Sequence, residues 1–342
     1  MYIILNNTRH ASSSVSTDKR TRRVFYFWGR MKYDKPPLTI HQQIDLLRTR
    51  GMTIANPAVA AAALASLSYY RLSAYWLPFE ERVPGVNRSH KFSANTTFEK
   101  CLSLYQFDVH LRQILFAGVK QVELALRAQF AHQLSLSYGS HFYLNSDLFR
   151  VPVISPAGRT LWNHNSEIQK ITEAVQTSRE VFIKHYLKQY DDPYQKPPIW
   201  MVVELLSIGD MSRWYKYLAA PKDRQRIADF FDIDESLLVT AIHHFSVVRN
   251  ICAHHGRLWN RELVIPLKIP KRIPALSTAR FSKDWSAYRI HNSMVMLAYL
   301  LKNIHPKNDW VRSAKTCLAE CPLPLTAMGF EPGWEAYWTW CD

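Results

Sequence analysis

Apolar residues recur every three or four positions along most of this chain, and that period predicts helices. The longest run opens on Thr96-x-x-Glu99, which has the form of a capping box. It continues with apolar residues at 104, 107, 111, 114, 115, 119, 122 and 126 to about Tyr138, with Gly139 as its stop. A second stripe, at 237, 238, 241, 242, 245 and 248, follows Asp234 as N-cap and is expected to stop at Gly256. Shorter helices are predicted from Thr39 to Gly51 and from Asn56-Pro57 through VAAAALASL. Others are expected at about 165–190, over IWMVVELLSIGDMSRWYKYL with a bend at Gly209, at 222–231, and at 285–303. Residues 69–79 are dense in aromatic side chains, and 82–96 read as a polar loop.

The helical period fails in three places. Residues 1–30 include SSSVSTDKRTRR, polar and basic without an apolar repeat, and are expected to be disordered. They read either as an over-extended start before Met31 or as a basic RNA-binding arm. Ile-Pro recurs at 265–266, 269–270 and 273–274; proline fixes φ and removes a donor, so VIPLKIPKRIP reads as an extended bracket. The tail from Cys321 is loop-rich and aromatic. The expected architecture is all-α. It comprises a leader (1–30), an N-terminal helical region (31–95), a helical core (96–262), and the bracket with the last helix and tail (263–342).

Composition narrows the function classes. The net charge is +15, of which the leader holds +5 (Arg9, Lys19, Arg20, Arg22, Arg23 and Arg30 against Asp18), so the remainder is still basic. That balance favours a polyanionic partner, nucleic acid first. Five scattered cysteines (Cys101, Cys252, Cys317, Cys321, Cys341) with no CxxC argue against a disulfide framework or a cysteine zinc site. No apolar run is long enough to span a bilayer. The expectation is a cytoplasmic protein without cofactor, metal or membrane partner.

The chemistry concentrates in RNICAHHGRLWNREL, residues 249–263, where an apolar helix ends in a guanidinium, an amide and two imidazoles. An Arg and a His with four to six residues between them also occur at Arg127–His132, Arg159–His164 and Arg179–His185. Only Arg249 has an Asn beside it, two tandem His after it and a helix end there. The plain account is that cations suit a helix C-terminus, by about 0.3–1 kcal/mol. Against it, Asn is mildly unfavourable inside a helix, and Val247-Val248 imply a buried stripe beside the charge. A metal shared by His243-His244 and His254-His255 is disfavoured, because eleven residues of helix span about 16 Å.

Several segments together resemble the Abi-like proteins, the AbiD/AbiF-type abortive-infection family: KPPLTIHQQIDLLRTRGM, LSYYRLSAYWLPF, QVELALR, FIKHYLKQYDDP, KPPIWMVVELLSIGDMSRWY and RNICAHHGRLWNREL. The resemblance covers about residues 33–265. It implies a HEPN-like helical core and a metal-independent endoribonuclease, a phage-defence toxin that acts as a homodimer and is held in check by an antitoxin RNA or protein. The family's Arg-polar-x3-His motif falls on Arg249, Asn250 and His254, with His255 as the adjacent alternative. Such a site cleaves RNA through its own 2′-OH: histidine suits both proton transfers and arginine the phosphate. A non-catalytic RNA-binding or regulatory module is the alternative. Glu123, Arg127 and Glu204 are supporting candidates, read first as helix-holding ion pairs. Arg257, Arg261, Lys268, Lys271 and Arg272 are candidate RNA contacts.

Overall fold

The computed structural model describes residues 35–85, 88–190, 196–268, 270, 273, 274, 276 and 285–338. The leader, Lys271, Arg272 and Cys341 lie outside these residues. Among the described residues the chain forms twelve α-helices and one two-stranded hairpin, an all-α fold. It divides into two compact units, one up to Tyr105 and one from Gln106 onward.

In the first unit, α1 (Ile40–Thr49), α2 (Pro57–Leu67) and α3 (Tyr69–Trp76) surround Leu47, Leu64, Leu72, Trp76, Phe92 and Phe98. Thr39 caps α1 in a full capping box with Gln42, and Asn56 caps α2 with proline at the first helical position. Helix α4 (Phe98–Tyr138) starts in this unit. Its cap is Thr97, whose hydroxyl accepts from Lys100 N at 3.2 Å. The expected cap, Thr96, instead donates to Ser93 O at 2.6 Å, so the Thr96–Glu99 box does not form. Thr97 wins because Thr96 is drawn into a backbone pairing, its carbonyl accepting from Thr53 N at 2.9 Å.

In the second unit α4 buries Leu111, Leu115, Val119, Val122, Leu126 and Phe130 completely, one stripe at helical spacing. A hairpin, β1 (Val153–Ile154) and β2 (Thr160–Trp162), precedes α5 (His164–Thr177). The single helix expected at 165–190 is two, α5 and α6 (Val181–Gln189), parted at Ser178 in extended conformation. The next run also divides, into α7 (Ile199–Leu205) and α8 (Ile208–Lys216). The break is at Leu206–Ser207 rather than Gly209, because Ser207 and Asp210 form a capping box that starts a new helix.

Helix α9 (Pro221–Asp229) leads to α10 (Glu235–Ala253), capped by Asp234 and packed chiefly on α8 and α9. A 3₁₀ turn at Trp285–Tyr288 precedes α11 (Ile290–Ile304), whose residues 290–301 are all buried, as expected of a helix enclosed on every side. A further helix, α12 (Trp310–Ala319), was not expected from the sequence. Gly118 lets it close on α4: a Cβ there would lie 2.6 Å from the Trp310 ring nitrogen and 2.7 Å from Leu297. The same indole N–H donates to Ile114 O at 2.8 Å.

Candidate functional site at the end of helix α10

The apolar stripe of α10 (Leu238, Ala241, Ile242, Phe245, Val248) is buried, and this fixes which side chains face out at its C-terminal end. Asn250, His254 and His255 are exposed, while Arg249 is half-buried. The Arg249 guanidinium lies over the Phe116 ring of α4, 5.8 Å from its centroid. Its Nη1 donates to Asn250 Oδ1 at 3.5 Å, and its Nε is buried without a hydrogen-bond partner. A guanidinium held on an aromatic face keeps its charge and loses orientational freedom, which suits it to an anion.

The helix does not stop as expected. His254 is the C-cap, and the left-handed residue after it is His255, with φ +55°, not Gly256. Gly256 N donates to Ile251 O at 2.8 Å and His255 N to Cys252 O at 3.1 Å, the paired bonds of a Schellman end. Glycine at 256 serves closeness instead, since a Cβ there would meet Ile251 at 3.1 and 3.2 Å. A histidine thus occupies a conformation that usually takes glycine or asparagine.

Other side chains, outside the motif, hold the segment that follows. Asp108 of α4, fully buried, accepts from Leu258 N at 3.0 Å and Trp259 N at 2.6 Å and pairs with Arg112. Arg112 also donates to Gly256 O at 3.4 Å. Arg289 adds bonds to Asn260 O and Oδ1 at 3.0 and 2.9 Å. Sequence reasoning misses all three. A signal for Asp108 is nonetheless there: a carboxylate beside the buried stripe of α4, four residues before an arginine.

A family model of Abi-like proteins matches residues 62–260, more than half of the chain. The chain belongs to the Abi-like protein family. No curated protein and no solved structure matches it. Family membership connects this Abi-like protein with abortive-infection defence against phage, and the matched region includes the α10 tip and the loop clamped by Asp108.

The other candidates of this Abi-like protein divide by position. Arg127 pairs with Glu123 and, at 3.3 Å, with Glu204, and donates to Leu206 O at 2.8 Å. This cluster ties α4 to the α7–α8 junction. Glu204 is half-exposed, not buried. Arg261 folds back on the loop, donating to Arg257 O at 3.3 Å, so both stay near the tip. Lys268 does not: it reaches Ser236 Oγ at the opposite end of α10, beside Asp234, about 27 Å along the helix axis from His254. The bracket runs back along α10, with Ile265 O 2.6 Å from His244 Nδ1.

The remaining histidines sort by burial. His244 is enclosed between Ile265 O and Ser293 Oγ (2.7 Å from Nε2), and burial pushes its pKa down to about 4. His164 bonds to Tyr143 O at 2.9 Å and stacks on Phe149, a core role. Cys252, beneath the tip, is buried and its thiol is pushed up to about 12, so it is not a nucleophile. Among the described residues no three His, Cys, Asp or Glu side chains form a metal-ligand cluster, and no helix is long and apolar enough to cross a membrane.

Proposed function

We propose that this Abi-like protein is a HEPN-type endoribonuclease that cleaves RNA without a metal ion and acts as a toxin in abortive infection. What carries the reading is the α10 tip: Asn250, His254 and His255 exposed together, beside an arginine whose guanidinium rests on Phe116 with an unpartnered buried Nε. In the reaction, a histidine takes the proton of the 2′-OH and the 2′-oxygen attacks the adjacent phosphorus. The bond from phosphorus to the 5′-oxygen breaks, and a second histidine returns a proton to that oxygen. The products are a 2′,3′-cyclic phosphate and a 5′-hydroxyl.

Arg249 stabilises the crowded phosphate, worth about 10²–10³ in rate, and proton transfer contributes about 10²–10⁴. Asn250 orients the guanidinium, the contact it already makes. His254 transfers protons, and His255 supports the end of the helix or exchanges roles with it. The reading includes a cytoplasmic homodimer, in which the tip of a second copy supplies the complementary acid or base, and control by an antitoxin RNA or protein.

Purified protein is incubated with single-stranded RNA in EDTA, alongside Arg249→Ala and His254→Ala. The expected result is cleavage that persists in EDTA, leaves a 2′,3′-cyclic phosphate and is lost in both variants. RNA binding without cleavage would transfer the assignment to a non-catalytic RNA-binding module, and activity that needs added metal would overturn the mechanism.

A further inference from the structure

A second basic feature lies on the same side of α10 as the tip. β2, the start of α5, the end of α8 and the middle of α10 enclose a cleft of about 560 Å³, lined by Arg159, Glu167, Lys170, Arg213, Lys216 and His243 among others. Glu167, itself buried, is answered by Lys170 at 2.7 Å and by Arg213 at 3.3 Å, and Arg213 is answered again by Asp210. Arg159 and Lys216 have no ion-pair partner among the described residues. Four cations therefore face two carboxylates. Lys216 is held over the Tyr217 ring, 5.2 Å from its centroid, so its charge stays at the cleft. His243, solvent-facing on one side and against the cleft on the other, feels the excess: partial burial first, and Lys216 second, lower its pKa.

The cleft is aligned with the tip. On a helix of 3.6 residues per turn, positions 243, 250 and 254 share one face. All three side chains are exposed, so His243, Asn250 and His254 form one solvent-facing line about 16 Å long. A stacked strand carries one phosphate per roughly 3.4 Å, so this line spans about five nucleotides at most. An anion seated in the cleft beside His243 and a linkage at His254 therefore fit on one short strand.

We propose that this cleft is a phosphate-backbone subsite that grips single-stranded RNA a few nucleotides from the cleavage point. The proposal rests on the ribonuclease reading for what the strand is. Its contacts are to phosphate, so it fixes the position of the strand without selecting sequence. Arg159, whose sequence pairing with His164 leads only to a core histidine, acquires a role here.

The test uses RNA that cannot be cut. Binding of a single-stranded RNA of about ten nucleotides with 2′-O-methyl riboses is followed by fluorescence anisotropy across a salt series, beside a trinucleotide of the same chemistry. In Arg159→Gln/Lys216→Gln, affinity for the longer strand is expected to fall about tenfold at low salt. The slope of log affinity against log salt should drop by about 0.7 for each phosphate that the variant no longer neutralises. The trinucleotide should bind as it does to the unaltered protein. Arg159→Glu/Lys216→Glu should weaken the longer strand further; if that variant does not fold, the glutamine pair decides. Equal affinity and slope in the glutamine pair, or no binding of the longer strand by the unaltered protein, overturns the subsite. Cleft-dependent binding alongside cleavage untouched by Arg249→Ala and His254→Ala would retain the subsite and remove the nuclease assignment. Loss of cleavage in those two variants with unchanged binding in the glutamine pair would do the reverse.

Discussion

Replacing Asp108 should cost more than any surface change, because three charged or backbone donors converge on a carboxylate with no solvent exposure. Asp108→Ala leaves the Arg112 guanidinium, whose side chain is 7% exposed, without its counter-charge. Removing one partner of a buried pair costs about 3–5 kcal/mol. The amides of Leu258 and Trp259 lose their acceptor in the same step; an unpaired buried donor costs about 1–3 kcal/mol. The two losses share one cavity that water can enter, so they do not add in full, and about 4 kcal/mol is the expected total. Asp108→Asn keeps an oxygen for the two amides but turns an NH2 donor toward Arg112 where Oδ2 had accepted, so the guanidinium loses its counter-charge as in the alanine. With the amides still satisfied, the loss is that of the buried charge partner, about 3 kcal/mol and less than for the alanine.

Urea unfolding measures both, as a shift in midpoint at constant slope. Amide hydrogen exchange at Leu258 and Trp259 reads the clamp itself. Asp108→Leu/Arg112→Met separates stability from positioning: an apolar pair removes the stranded charge and recovers much of the stability, yet leaves both amides without an acceptor and exchanging fast. The reasoning is refuted if Asp108→Ala unfolds within about 1 kcal/mol of the unaltered protein and both amides remain as protected as before.

Acid should destabilise the protein through two buried histidines. His244 and His291 are pushed from the ordinary 6.5 to about 4 by burial, so the unfolded chain binds protons that the folded one refuses. Their stabilisation is complete above about pH 6.5 and is lost as pH falls toward 4, about 2 kcal/mol for each between pH 7 and pH 5; a urea midpoint that stays flat over that range would contradict it. At His255, glycine should relieve the left-handed backbone and raise stability by about 1 kcal/mol. A thermal midpoint that does not rise would mean that the imidazole contributes more than the strain costs.

The main helices were legible because burial imposes a period. The stripes of α4 and α10 are the positions the structure buries, apart from the half-buried Ile114, and Asp234, Thr39 and Asn56 cap where their side chains predict. Helix ends inside continuous helical pattern were not. Neither Ser178 nor Leu206–Ser207 carries glycine or proline, and the Ser207–Asp210 box that restarts the chain was masked by Gly209 two residues on. WVRSAKTCLAE reads as polar, which hides α12, although Trp310, Val311, Ala314, Cys317 and Leu318 form its buried face. At the site, the cluster itself could be read, because neighbours in sequence are neighbours on a helix. What holds it could not: Asp108 meets Leu258 across 150 residues, and no local rule brings them together. That Lys268 lies at the far end of α10 is hidden for the same reason, since sequence distance from the tip does not show that the bracket turns back along the helix.

On the proposed ribonuclease reading, the tip has to hold its groups still. A helix end exposed to water frays, and an arginine on a fraying end would not hold a phosphate to the fraction of an ångström that catalysis needs. Here the last turn is tied on three sides. Arg249 rests on Phe116, the Schellman bonds close the backbone through His255, and Asp108 fixes residues 258 and 259 beyond it. Phe116 and Asp108 lie about two turns apart on α4, so one rigid helix sets both the guanidinium and the loop. A left-handed histidine is tolerated because the clamp beyond it leaves the chain little other course, and His255 is exposed there, as is His254. Exposure of the imidazoles and burial of the Asp108–Arg112 pair are thus two sides of one arrangement: the groups that would exchange protons stay wet, and the carboxylate that fixes the loop beyond them stays dry.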